Sequence, residues 1–368
     1  MLKRYQRWIN RWEDRLSSLD TNRVVRPLDW GVGWTRHWPG VNGNFPGDDP
    51  AAAEAFFHEL NRDALADSDR FFAYDTPRDF RLERRLPELH PTGNGQPIAR
   101  ARRAREADFL RFTSPVRTPH AENNLVNARW FPARGRRAVV ILPQWNSDAE
   151  SHNGLGRIFN LLGIASLRLT MPDHDVRKPA ETERADYAVS ANVGRTLDAA
   201  RQAVLDIRCC LDWLESQGYS QLGIVGTSLG SCYAFLASAH DPRLRVNVFN
   251  HASTYFADVV WNGQTTRHIR AAVESAVGLD SLRRAWLAIS PMSYFDQFQR
   301  FPKKSVIVYA TCDLTFRPEY THQIISEFRR RRLPLEVSAL PCGHYTIGQA
   351  PFKYLDALYM ARFLESAL

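Results

Sequence analysis

Two rhythms of apolar residues run through the last two-thirds of this chain. Short runs such as Ala138-Val139-Val140-Ile141-Leu142, Leu222-Gly223-Ile224-Val225 and Val306-Ile307-Val308 are apolar on successive positions. They are too short for helices and have no wet face, so they predict buried strands. Longer segments between them repeat apolar positions at threes and fours. The clearest spans 193–217 through Val193, Leu197, Ala200, Val204, Ile207 and Leu211, with Gly218 placed to cap it. Read this way, strands fall at 107–112, 125–130, 137–142, 164–169, 222–225, 244–249, 305–310 and 335–340. Helices fall at 152–162, 193–217, 231–237 and 318–332. Strands alternating with helices imply crossover units, hence an α/β fold with a mostly parallel central sheet and helices on both faces.

Two regions break the rhythm. Between the strands ending near 249 and starting near 305 the chain is too long for a plain crossover. It reads as a helical cap insertion at about 252–300, with helices at 266–276 and 280–289. Its aromatic and Met residues, Tyr255, Phe256, Trp261, Trp286, Met292, Tyr294 and Phe295, suit either an apolar pocket or ordinary packing, and none is singled out. Residues 1–104 form an N-terminal extension ahead of a catalytic domain at 105–368. It opens with a helical face of Leu2, Tyr5, Ile9, Trp12, Leu16 and Leu19, flanked by Arg4, Arg7, Arg11 and Arg15. Trp and Arg on an amphipathic helix suit a membrane interface. The favoured reading is docking onto the protein itself or a second copy. A Gly-, Trp- and Pro-rich stretch at 29–50, a helix near 51–62, a turn or linker at 90–95 and a charged lead at 100–105 complete the extension.

Chemistry concentrates at the ends of three predicted strands. Gly226-Thr227-Ser228-Leu229-Gly230 follows one strand and opens a helix. That context makes the G-x-S-x-G pattern a nucleophile elbow, whose flanking glycines let backbones approach. A serine hydroxyl needs a histidine base and a carboxylate to orient it. Asp313 follows the strand at 305–310, and His344 follows the strand at 335–340. Both project from the sheet edge where α/β sites gather, in the chain order Ser, Asp, His. His251, His268 and Asp296 are nearby competitors. His251 precedes the acid and fits that order less well.

These motifs, from Asp108 to the C-terminus, resemble the α/β-hydrolase superfamily. Phe112-Thr113-Ser114-Pro115, Ala128-Arg129-Trp130-Phe131-Pro132, Met171-Pro172 and Arg177-Lys178-Pro179 further resemble the family eighteen α/β-hydrolase domain proteins. The resemblance implies an esterase- or lipase-like acyl hydrolase that needs no cofactor or metal. It places the oxyanion donors at the backbone N–H of Leu229 and, where relatives carry His-Gly in place of Pro143-Gln144, at that of Trp145, with Gln144 second. The expected substrate is a small-molecule or lipid acyl ester. A thioesterase, amidase or acyltransferase with the same residues, or a non-catalytic binding protein on the same fold, are the alternatives.

Composition narrows the rest. With 368 residues, 44% hydrophobic and 11% aromatic, the chain can bury a large core. The net charge of +8 is carried by arginines spread along the sequence, without an RNP, helix-turn-helix or zinc-finger pattern, so nucleic acid is not an expected partner. Arg329-Arg330-Arg331-Arg332 closes a helix where positive charge is favourable. No apolar run reaches membrane-spanning length and no secretory segment opens the chain. The expectation is a cytoplasmic protein, peripherally membrane-associated if the N-terminal helix binds lipid. Five cysteines, Cys209, Cys210, Cys232, Cys312 and Cys342, have no zinc spacing and read as reduced thiols. Cys312 and Cys342 would meet if the Asp313 and His344 loops are adjacent.

Overall fold

Nine strands hydrogen-bond into one sheet in the computed structural model, which describes residues 2–87 and 105–368. In chain order they are β1 (Arg81–Arg85), β2 (Ala107–Thr113), β3 (Leu125–Phe131), β4 (Arg137–Leu142), β5 (Ala165–Leu169), β6 (Gln221–Thr227), β7 (Leu244–Asn250), β8 (Lys304–Ala310) and β9 (Leu335–Leu340). Their order across the sheet is β1-β2-β3-β5-β4-β6-β7-β8-β9. β1, β2, β3 and β5 pair antiparallel, and every pairing from β5 through β4 to β9 is parallel. The linker expected at 90–95 and most of the charged lead at 100–105 lie outside the described residues.

The inner parallel strands, such as β4 and β8, are apolar on successive positions because both faces are covered. Ala138, Val140 and Leu142 of β4 join one core, while Val139 and Ile141 join the other. Ile307 and its neighbours Val306 and Val308 divide the same way in β8. The first core lies under α5 (Val193–Ser216) and α6 (Leu229–His240). α1 (Leu2–Ser18), α4 (Asn153–Leu161) and α12 (Phe352–Ala367) cover the second. α5 starts where the Asn192 side chain accepts the Arg195 N–H at 2.8 Å. It stops before Gly218, whose φ of 88° the missing Cβ permits.

α5 is buried almost all round, because the N-terminal segment covers its outer side. α2 (Pro50–Ala66) and the short α3 (Ser68–Phe71) lie there. Trp38 Nε1 donates to Asp198 Oδ1 at 2.7 Å, and Arg201 Nε donates to the Phe71 carbonyl at 2.8 Å. β1, inside the region read as an extension, adds an edge strand to the sheet. Arg81-Leu82-Glu83-Arg84-Arg85 carries one apolar residue, so no alternation marked it as a strand. The insertion after β7 holds four short helices, α7 (Phe256–Asn262), α8 (Arg267–Val273), α9 (Leu279–Ala285) and α10 (Phe295–Phe298). The remaining helix is α11 (Pro318–Arg330). Among the described residues, no helix is long and apolar enough to cross a membrane.

Candidate active site

Ser228 is the entire connection between β6 and α6. Its φ of 56° and ψ of −118° are unfavourable for a residue with a Cβ, and such strain marks a turn held by its surroundings. The flanking glycines make the turn possible. A Cβ on Gly226 would lie 2.3 Å from the Gly230 carbonyl oxygen, and one on Gly230 would lie 2.5 Å from that of Leu142. The Ser228 N–H donates to the Asn250 carbonyl at 2.8 Å, which ties the elbow to β7.

The loops after β8 and β9 bring the other two residues to the hydroxyl. Asp313 Oδ1 accepts the N–H groups of Thr315 and Phe316, each at 2.7 Å. The carboxylate is thereby fixed, with Oδ2 left for His344 Nδ1 at 3.0 Å. His344 Nε2 stands 3.1 Å from Ser228 Oγ. Phe316 stacks on the imidazole at 5.5 Å, with the ring planes 4° apart. Burial acts to raise the Asp313 carboxyl, but His344 and His251 outweigh it and hold the group well below the usual carboxylate range. Burial acts to lower His344, and the Asp313 carboxylate, assisted by Glu13, reverses this to a net rise.

Of the competing residues, only His251 meets these three. Its Nδ1 is 2.7 Å from Asp313 Oδ2, the oxygen that His344 also meets, and its ring centroid is 4.7 Å from that of His344. Burial pushes its pKa down. His251, Asp313 and His344 place ligand-type atoms within 4.8 Å of one another, but the shared Oδ2 and the serine contact already account for that cluster. Asp296 is an exposed partner of Arg331. His268 stacks on Trp145 at 5.9 Å, where burial lowers it to about 4.

The N-terminal helix reaches this site, a contact its sequence did not reveal. Ile9, Glu13 and Ser17 of α1 are buried, whereas Tyr5 and Trp8 are exposed. Glu13 accepts the Thr346 N–H at 2.7 Å and the Tyr345 N–H at 3.0 and 3.1 Å. Both donors directly follow His344. A Cβ on Gly343 would lie 2.4 Å from Glu13 Cδ, so the glycine admits the carboxylate. The Tyr345 hydroxyl bonds Asp20 at 3.2 Å and accepts from Arg23 at 2.9 Å.

A cavity of about 650 Å³ opens over Ser228 and His344. Phe256, Val259 and Val260 of α7, with Val189 and Cys232, supply an apolar wall. Trp286, Tyr294 and Phe295 are instead buried in the core beneath it. Leu229, Gln144 and Trp145 also line the cavity. The Leu229 N–H begins α6, where the first N–H groups have no intrahelical acceptor. Trp145 is held by its ring: Nε1 donates to the Ala185 carbonyl at 2.8 Å, and the Arg184 guanidinium lies 5.3 Å from its centroid.

The turn residues that carry the narrower resemblance lie elsewhere. Ser114 Oγ donates to Asp206 at 2.7 Å, and Arg177 pairs with Asp206 at 2.8 Å while donating to the Asn123 and Thr170 carbonyls. This buried network anchors the loop at 171–186, a stretch rich in charge and proline. All five cysteines are free and buried. The two loops are adjacent, since the Cys312 N–H donates to the Cys342 carbonyl at 2.8 Å, but their sulfurs are not bonded.

The mostly parallel sheet, with its elbow between β6 and α6, is an α/β-hydrolase fold. Solved structures that share it include acetyl xylan esterases and an acylaminoacyl peptidase. Acetyl xylan esterase 1 from Thermoanaerobacterium sp. JW/SL YS485 superposes with a TM-score of 0.55 at 14% identity, over 92% of this chain and 99% of its own. The acetyl xylan esterase from Paenibacillus sp. R4 gives 0.55 at 14%, over 86% and 94%. The acylaminoacyl peptidase of Pyrococcus horikoshii gives 0.52 at 9% over 78% of this chain, which spans 42% of that protein's length. No family model and no curated protein sequence matches the chain.

Proposed function

We propose that this protein is a serine hydrolase that cleaves carboxylic esters through an acyl-enzyme, with Ser228 as nucleophile, His344 as base and Asp313 as the acid that orients it. The observation carrying this reading is the chain of contacts from Ser228 Oγ to His344 Nε2 at 3.1 Å and from His344 Nδ1 to Asp313 Oδ2 at 3.0 Å. In this scheme Ser228 attacks the ester carbonyl as His344 takes its proton. The N–H groups of Leu229 and Trp145 receive the oxyanion. His344 then passes the proton to the departing alcohol, and a water repeats the sequence to release the acid. Asp313 keeps His344 in the tautomer with Nδ1–H and stabilises its charged form. The apolar wall under α7 would take the acyl chain. The names of the structural neighbours favour acyl transfer to water, and the turn motifs favour kinship with the family eighteen α/β-hydrolase domain proteins. Neither selects a substrate.

The test is a panel of oxygen esters, thioesters and anilides across short and long acyl chains, run on the wild type and on Ser228→Ala. Oxygen esters should be cleaved fastest, and the variant should lose that activity. Preferential cleavage of thioesters or anilides would reassign the leaving group. Absence of turnover across the panel would leave a binding protein on a hydrolase fold.

A further inference from the structure

The cavity continues past Ser228 to a polar cluster that the proposed steps do not use. Asp356 of α12 lines it while only 9% exposed. Its Oδ2 accepts from Asn250 Nδ2 at 2.9 Å. Its Oδ1 has no hydrogen-bond partner, and neither does Oδ1 of Asn250, a residue only 1% exposed that lines the same cavity. No lysine, arginine or histidine among the described residues pairs with this carboxylate. Burial raises its pKa to about 7, against the Asn250 hydrogen bond that lowers it. Buried acceptors are nearly always satisfied, so two unsatisfied ones on one cavity wall call for a donor.

The position of the pair relates that donor to the reaction. Asn250 also holds the Ser228 N–H through its carbonyl, so a single residue links the free acceptors to the elbow. Phe256, Val259 and Val260 belong to the core on one face of the sheet, whereas Met360, one turn beyond Asp356 on α12, belongs to the core on the other. An acyl chain under α7 therefore leaves the α12 side for the alcohol.

We infer that Asp356 and Asn250 form a subsite for a hydrogen-bond donor, a hydroxyl or a protonated amine, carried on the alcohol portion of the substrate. The inference rests on the hydrolase reading. A site built to hydrogen-bond a substrate group discriminates against analogues without it, because its own polar atoms then stay unpaired. Asp356 and Asn250 are buried residues of the cavity lining, and the expected discrimination is roughly tenfold or more.

The experiment uses the acid preferred in the ester panel, joined to four alcohols: propyl, 2-hydroxyethyl, 2-(dimethylammonio)ethyl and 2-(trimethylammonio)ethyl. The second and third carry a donor, and the fourth carries charge without one. kcat/KM for at least one donor ester should exceed that for the propyl ester by roughly tenfold. Gain for the hydroxyethyl ester alone identifies a hydroxyl, and gain for the dimethylammonio ester alone identifies an amine. In Asp356→Leu the ratio should fall to about one, whatever the absolute rate. Asp356→Asn, which keeps the volume, should lose any preference for the amine. Four equal rates in the wild type would overturn the subsite and leave the hydrolase reading intact. So would a trimethylammonio ester that shares a gain shown by the dimethylammonio one, or a donor ratio unchanged in Asp356→Leu. Absence of turnover with every acid in the panel would remove the hydrolase reading and this inference together.

Discussion

Replacing Glu13 tests whether the N-terminal helix belongs to the site or only covers it. Its carboxylate accepts two backbone N–H groups, those of Tyr345 and Thr346, immediately after His344. In Glu13→Ala both donors lose their acceptor. Each unsatisfied buried donor costs about 1–3 kcal/mol, and partial access of water to Tyr345 favours the lower part of the sum, about 2–4 kcal/mol. Glu13→Gln keeps an acceptor oxygen but loses the charge, which should cost about 1–2 kcal/mol. The loop that loses these bonds carries the base, and a displacement of about 1 Å can cost on the order of 10²-fold in rate. kcat/KM is therefore expected to drop about 100-fold in Glu13→Ala and about three- to tenfold in Glu13→Gln. A second signature separates positioning from simple destabilisation. Glu13 contributes to the raised pKa of His344, and His344 must be neutral to accept the serine proton. Removing the negative charge lowers that pKa, so the acid limb of the kcat/KM–pH profile should move to lower pH in both variants. The assay is initial-rate hydrolysis of a short-chain chromogenic ester across pH, with thermal melts in parallel. A fall in Tm with kcat/KM within twofold of wild type and an unmoved acid limb would refute the positioning role.

Gly343→Ala would place a Cβ 2.4 Å from Glu13 Cδ, so it should displace the carboxylate and reproduce the Glu13→Ala pH profile. Gly230→Ala would drive a Cβ to 2.5 Å from the Leu142 carbonyl oxygen, both being backbone-anchored. Esterase activity should vanish, with soluble protein or its loss read by gel filtration. Asp313→Asn keeps the shape of the acid but not its charge, and kcat should fall by about 10³–10⁴ with little change in KM. Arg177→Met leaves Asp206 buried without its charge partner, 2.8 Å away in the wild type, and with only the Ser114 hydroxyl still donating to it. It should cost about 3–5 kcal/mol in denaturant unfolding, while activity per folded molecule stays near wild type.

How much of this was legible in the sequence depended on whether a residue's role is local. The parallel strands carry their burial in their own composition, so β4, β6 and β8 could be placed from apolar runs alone. Ser228 was legible because the elbow requires Gly226 and Gly230 at fixed spacing. Asp313 and His344 were legible as candidates because each follows a recognisable strand. What escaped depends on partners distant in the chain. Glu13 has the sequence appearance of a solvated helix residue, and only the N–H groups of a loop more than 300 residues away make its burial affordable. β1 shows a single apolar residue because it is an edge strand with exposed positions. Charge and proline crowd residues 171–186, and nothing nearby announces that Asp206 will pair with Arg177 inside the protein. Asp356 sits on a helix exposing Tyr354, Leu358 and Tyr359, so periodicity gave no sign that it is a buried residue of the cavity lining.

Whether Ser228 is a nucleophile activated by His344 and Asp313 is tested most directly by intact-mass spectrometry after treatment with a fluorophosphonate. The wild type should gain one adduct, mapped by digestion to the peptide containing Ser228. Ser228→Ala should gain none, and His344→Ala and Asp313→Asn should label far more slowly. Equal labelling of Ser228→Ala, or labelling of His344→Ala at the wild-type rate, would contradict the account.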